Sequence, residues 1–357
     1  MLTLGKTTLP VYTYQLMESR LKGNLAYSLA VRGYDVNGDT FWDTVIDMAG
    51  TTYNEYFSRA ILETVKEYLI SVYLFDEVYG LSLPASATEK IRQDMEDFVT
   101  YDGKGSKTAL NNVLSAYGVN LKRLEEAYVM EAKHAALLTY LYGEDGALIG
   151  DSLKDEYYRA HYNCFKQIVL NNFYLVTATD AEGNEITVDA DGDGYADTKE
   201  YSAAERRAIA VRADVIMTEL SAHEGDVITF EYYMAHESDD ALGQAEFTDG
   251  YFLSDKDTYT ADLAYLTDIN EKLSSMAVGE VALVEADDGW HIIRKYDLPD
   301  GAYAKDANSP WFSEMISNIR TELYHKLCEQ YIDEIEVNEL ALKNAMDMKA
   351  VTPNYYY

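Results

Sequence analysis

Two places in this chain combine residue type and spacing in a way that points to chemistry. The first is His291, inside GEVALVEADDGWHIIRKYDL, Gly279 to Leu298. VALVEA alternates apolar and polar residues, Asp287-Asp288-Gly289 is a hairpin turn signal, and WHIIRKYDL is the returning strand. Apolar neighbours put the imidazole at least half inside. It is then either a satisfied structural histidine or one kept for chemistry, and spacing alone favours the first. The second place is DADGDGYADTKE at 189–200. Asp189, Asp191, Asp193, Gly194, Tyr195, Asp197 and Glu200 fall on positions 1, 3, 5, 6, 7, 9 and 12 of a calcium-binding loop. Oxygens at alternate positions wrap a hard cation, the glycine makes the sharp turn, the Tyr195 carbonyl supplies position 7, and Glu200 chelates with both oxygens. The flanks fit less well, because EITV before the loop reads as a strand and Ala196 replaces a bulky apolar residue. A structural calcium ion and an acidic, solvated hairpin tip both remain open. No other cofactor is required.

Composition limits the alternatives. The 357 residues carry a formal net charge of −33, which excludes nucleic acid as a partner, since phosphate binding needs a basic face. Such a charge suits a self-repelling protein that handles sticky clients without aggregating. Two cysteines, Cys164 and Cys328, make no disulfide framework, and nothing supports a bridge between them. No apolar run reaches the ~18 residues of a membrane span. No signal peptide or lipid-attachment cysteine is recognisable at the N-terminus, so a secretion signal or anchor is expected outside this chain. The 32 tyrosines mostly read as half-buried packing, with an amphipathic contact surface as the second reading. There is no G-x-S-x-G, P-loop, H-E-x-x-H or C-x-x-C motif, and the scattered histidines argue against catalytic zinc.

The elements that must position these residues follow from periodicity and caps. Residues 1–11 read as strand, turn and strand. Thr13 caps a helix bearing Leu16, Leu21, Leu25 and Leu29 on one face. A long helical stretch spans Trp42 to Tyr79 with a break near Gly50. Ser86 and Glu89 fit a capping box for a helix over 87–100. Further helices are predicted over 107–116, 120–142 and 152–161, then a strand over 164–178, a helix over 202–221 and another over 262–276. From Ser309 as cap and Pro310 at the first position, a long amphipathic helix runs on with Trp311, Met315, Ile319, Leu323 and Leu327 as its apolar face.

The run of Gly279-Glu280-Val281, a short strand, and Gly289-Trp290-His291-Ile292-Ile293-Arg294-Lys295 resembles the last hairpin of the parvulin family of peptidyl-prolyl isomerases. The strand-turn-strand-helix opening and the long C-terminal helix resemble SurA/PrsA-type foldases. The resemblance implies an α+β fold: a helical chaperone domain from both chain ends, 1–160 and 301–357, with a parvulin-like domain at 161–300 inserted between them. That domain would be a small antiparallel sheet flanked by helices, with an acidic insertion at about 179–201. Carried over residue by residue, His291 matches the family's second active-site histidine. Asp240, after Ser238, matches its cysteine/aspartate position. Gln167, in Lys166-Gln167-Ile168-Val169, stands where the first histidine belongs. Phe252, Leu266 and Ile269 fall in the proline slot, where methionine and phenylalanine are usual. The implied activity is prolyl cis/trans isomerisation (rotamase chemistry), which needs no covalent step, only a dry, apolar pocket that favours the twisted amide. The implied clients are unfolded or newly exported polypeptides outside the cytoplasm, with the membrane reached only through an anchor absent from this chain. A homodimer is compatible with it. Two alternatives stay open: a catalytically inactive holdase chaperone and a calcium-dependent cell-surface binding module.

Overall fold

The computed structural model describes residues 1–357 apart from 31–32, 39, 193, 195, 224–225, 259–262, 264, 306–308 and 344, and apart from the side chains of 241, 242 and 244. The architecture is α+β, with helices and small antiparallel sheets. The chain divides into two units, 1–149 together with 319–357, and 150–318, so the second is inserted into the first along the sequence.

In the first unit, strands Leu2–Leu4 and Thr7–Leu9 pair around a turn, and Glu336–Val337 adds to the other edge of Leu2–Leu4. Helix Val11–Ala30 follows. The stretch expected from Trp42 is interrupted where the break near Gly50 was expected. Phe41–Asp43 is a short 3-10 turn, and the helix proper is Tyr53–Tyr73. The cause is local: Thr52 accepts from the Glu55 backbone while the Glu55 carboxylate accepts from Thr52, a capping box that fixes the start. The capping box expected at Ser86 is absent. Helix Ala85–Tyr101 starts after Pro84 without a side-chain cap, and Glu89 instead pairs with Arg92. Helices Lys107–Leu114 and Leu121–Tyr142 follow the predicted spans, each with a side-chain cap, Ser106 and Asn120. The core joins Leu4, Tyr14, Trp42, Leu69, Leu137, Tyr324 and Met348. The C-terminal helix is Met315–Cys328, shorter than expected, with only a 3-10 turn at Pro310–Phe312 before it.

The second unit is built on a four-stranded antiparallel sheet. Its order is Tyr251–Ser254, Tyr162–Asn171, Gly289–Tyr296 and Val281–Ala286. The two central strands alternate cleanly. Ile168, Leu170 and Ile292 pack on one face against Ala213, Ile216, Leu220 and Phe230. Phe165 and Ile293 pack on the other face against Leu266, Ile269 and Leu273. The strand predicted over 164–178 ends at Asn171. Beyond it, Phe173–Leu175 and Thr177–Thr179 pair with Thr198–Glu200 and Glu185–Thr187, so the acidic insertion forms its own ribbon.

The unit's ends lie at 150 and 318, where residues 160 and 300 were expected to bound the insertion. Tyr158 explains the difference. It is fully buried, packs against Tyr162, Tyr303 and Phe312, and donates its hydroxyl to the Pro299 carbonyl at 3.2 Å. Helix Asp151–His161 is thereby joined to Pro299, Tyr303 and Phe312 beside the sheet. Gly289 has φ +151, and a Cβ there would sit 2.2 Å from the Leu170 carbonyl oxygen, so the close strand approach at the hairpin requires glycine. Cys164 and Cys328 are both free and buried, one in each unit.

Candidate functional site

The sheet register assembles the site. His291 lies opposite Val169, and Gln167 lies opposite Ile293. Gln167 and His291 are therefore diagonal neighbours on one face, within side-chain reach. The Gln167 amide bridges two partners: its Oε1 is 3.0 Å from His291 Nδ1, and its Nε2 donates to Asp240 Oδ2 at 3.0 Å. Asp240 caps helix Ala241–Glu246 by accepting from the Gly243 backbone at 2.9 Å, and it accepts from the Tyr251 hydroxyl at 2.6 Å. Ser238 holds the preceding loop to the sheet by accepting from the Val169 backbone at 2.9 Å. The other ring nitrogen of His291, Nε2, is 2.9 Å from Asp288 Oδ1 in the hairpin turn. His291 is 1% exposed, and Tyr265 stacks on its ring at 5.1 Å.

The network fixes donors and acceptors. A carboxylate only accepts, so Asp240 turns the Gln167 amino group towards itself and leaves Oε1 facing His291. Oε1 and Asp288 are both acceptors, so the imidazole sits between two acceptors. Burial, with the bond to Asp240 adding to it, raises the pKa of Tyr251. Burial followed by the negative charges of Asp288 and Asp240 raises that of Tyr265. Both phenols thus keep their protons, and Tyr251 is a fixed donor.

These groups line a cavity of about 800 Å³ lying wholly within 150–318, inside the range of small-molecule and peptide sites. Leu263, Leu266, Phe247, Tyr265 and Trp311 supply apolar and aromatic walls, with Gln167, Asp240, Asp288 and His291 as the polar patch. The Trp311 indole nitrogen is buried without a hydrogen-bond partner.

The structure brings together His291, Gln167, Asp240 and Leu266. It does not bring in Phe252 or Ile269. Along Tyr251–Ser254, the period of two turns Tyr251 to the cavity and Phe252 away, against Phe312. Ile269 is fully buried in the core behind the slot. Sequence reasoning missed Asp288, Tyr251, Tyr265 and Trp311 as lining residues. Asp288 could have been found from its place three residues before His291 across the turn. Tyr251 could have been found from strand parity once Leu253 was placed in the core.

In the 189–200 loop, the carboxylates of Asp189, Asp191 and Asp197 offer oxygens within 4.8 Å of one another. Asp189 also accepts from the Gly192 and Gly194 backbones at 2.8 and 3.1 Å, and Asp197 from Ala190 at 3.1 Å. Asp193 and Tyr195 lie outside the described residues. Glu200 is not part of the group: it sits in the ribbon strand opposite Phe173 and pairs with Arg206 at 3.4 Å. Among the described residues, no helix is long and apolar enough to cross a membrane.

No family model matches the chain, and no curated protein matches it. It is similar to solved structures of PrsA foldases. PrsA peptidyl-prolyl isomerase from Bacillus anthracis is 15% identical, with 80% of this chain and 97% of that one covered and a TM-score of 0.23. PrsA from Bacillus subtilis is 16% identical over 87% and 91%, with a TM-score of 0.23. Foldase protein PrsA from Streptococcus pneumoniae is 12% identical over 85% and 98%, with a TM-score of 0.27.

Proposed function

We propose that this chain is an extracytoplasmic foldase whose 150–318 unit isomerises X–Pro bonds in unfolded or newly exported polypeptides. The observation that carries the reading is Gln167, bridging His291 and Asp240 on the wall of an apolar cavity. The barrier to X–Pro rotation comes from amide resonance. As the amide twists, charge leaves its oxygen and a lone pair localises on nitrogen. A dry slot favours the less polar twisted state, and a small number of fixed hydrogen-bonding groups orient the chain on either side of the ring. Leu266, Tyr265, Phe247 and Trp311 would take the prolyl ring, and the His291–Gln167–Asp240 patch would face the twisting bond. No proton needs to leave the network.

Prolyl exchange on an Ala-X-Pro-Phe peptide panel, varying X, tests this with His291→Ala alongside. Acceleration that falls by at least tenfold in the variant is the expected result. Equal rates in both proteins would remove His291 from the site. No acceleration on any X, with client aggregation still suppressed, would make the unit a binding scaffold in a holdase.

A further inference from the structure

The first unit holds a second cavity, of about 140 Å³, walled by helix Val11–Ala30, the turn at 116–118 and the C-terminal segment at 345–352. Glu18 lines it, 1% exposed, and neither of its carboxylate oxygens has a hydrogen-bond partner. An unpaired buried carboxylate is among the least favourable arrangements a fold can hold. The neighbouring donors are spent elsewhere. The Tyr14 hydroxyl, one turn earlier, donates to the Ser58 carbonyl at 2.9 Å and only partly offsets the buried Glu18 charge, and the Ser19 hydroxyl donates to the Leu16 carbonyl at 2.7 Å. Lys22, one turn later, gives its ammonium to the carbonyls of Met348 and Lys349 at 2.7 and 3.2 Å. What faces Glu18 across the cavity is Asp347, whose negative charge adds to the burden. Tyr117, Thr352 and the Gln15 amide complete the polar lining.

We propose that this cavity binds a hard divalent cation of the calcium class through Glu18, Asp347 and the Gln15 amide oxygen. Two features favour that class over others. The donors are oxygens only, which excludes soft and thiol-seeking metals. Two come from the first helix and one from the C-terminal segment, and they leave room for several waters, which suits the flexible shell of calcium better than the strict octahedron of magnesium. Bound there, the cation would tie the C-terminal segment to the first helix, beside the Lys22 contacts. With two carboxylates, affinity falls at the weak end of calcium sites, about 10⁻³ M.

The test uses the full chain carrying Asp189→Asn and Asp191→Asn, which silences the other acidic loop. Thermal unfolding is followed at pH 8 in EDTA, in 10 mM CaCl₂, and in MgCl₂ and NaCl at matched ionic strength. Calcium should raise the melting temperature by about 2–5 °C, and more than magnesium does. Both Glu18→Gln and the exposed Asp347→Asn should abolish the shift. If Glu18→Gln fails to fold, Asp347→Asn alone decides. A shift that survives Asp347→Asn, or equal shifts with all three salts, overturns the proposal. Calcium insensitivity with stability that falls only as pH rises would leave Glu18 a buried acid and also overturn it.

Discussion

In the absence of divalent cations, Glu18 should make the protein weaken as pH rises, and Glu18→Gln should remove that weakness. Burial is the first cause of its raised pKa, the Tyr14 hydroxyl offsets part of it, and the charge of Asp347 adds to it; the reference value is 4.5 and the folded value about 8. A carboxyl raised on folding contributes its full stability below pH 4.5, where both states hold the proton. That stability drains away as pH rises towards about 8, because only the unfolded chain releases the proton over that window. At 1.36 kcal/mol per pH unit, the span corresponds to about 5 kcal/mol, and relaxation around the charge reduces it to about 3–5 kcal/mol. The side chain is 1% exposed, so solvent screening takes little of this. Tyr14, raised by burial and then by the Glu18 charge, keeps its proton through pH 9 in either protein, and Lys22, lowered by burial and raised by Asp347, owes nothing to Glu18. Scanning calorimetry in EDTA at pH 5, 7 and 9 reads the result. The variant should melt close to wild type at pH 5 and about 10 °C higher at pH 9. A difference that stays constant from pH 5 to 9 refutes the reasoning, because it would mean Glu18 carries no proton linkage at all.

Three further outcomes follow from particular contacts. Tyr251→Phe removes a charge-assisted hydroxyl bond to Asp240 and should destabilise the 150–318 unit by about 1.5–3 kcal/mol; urea unfolding checks it, and a change under about 0.5 kcal/mol would count against the bond. Gly23→Ala puts a Cβ 2.0 Å from the Asn354 carbonyl oxygen, so the last residues should lift from the first helix and become sensitive to limited proteolysis, which leaves wild type intact. Isothermal calorimetry on the intact chain should give calcium-dependent heat that shrinks in an Asp189→Ala/Asp191→Ala variant if the loop at 189–200 is a calcium site; heat unchanged by that variant would leave the loop an acidic tip.

The hairpin around His291 was legible because strand alternation and an Asp-Asp-Gly turn are local signals that tertiary packing did not override. Helices with side-chain caps were also legible, as at Asn120 and Ser202. What failed was parity and termination. Phe252 and Tyr251 are adjacent aromatics, and only the strand partner Cys164–Phe165 decides which one faces the cavity. The strand after Asn171 breaks because Asn172 turns its backbone and side-chain amides to the Asp288 and Asp287 carbonyls, 2.8 and 2.6 Å away, more than a hundred residues on. Glu18 gave no sequence signal, since one acid on a helix of mixed polarity reads as solvated until the C-terminal segment covers it.

The glutamine at 167 gives the site its particular logic. A neutral histidine offers one donor and one acceptor, and protonation turns both nitrogens into donors. A glutamine offers an acceptor and a two-proton donor at every pH. In this position the amino group satisfies Asp240 and the carbonyl faces His291 Nδ1. The acid in the turn, Asp288, then holds the far side of the imidazole. His291 is thus held between two acceptors, beneath the Tyr265 ring. On the proposed reading, an imidazole held in that way would orient a peptide whose barrier lies in its own amide bond.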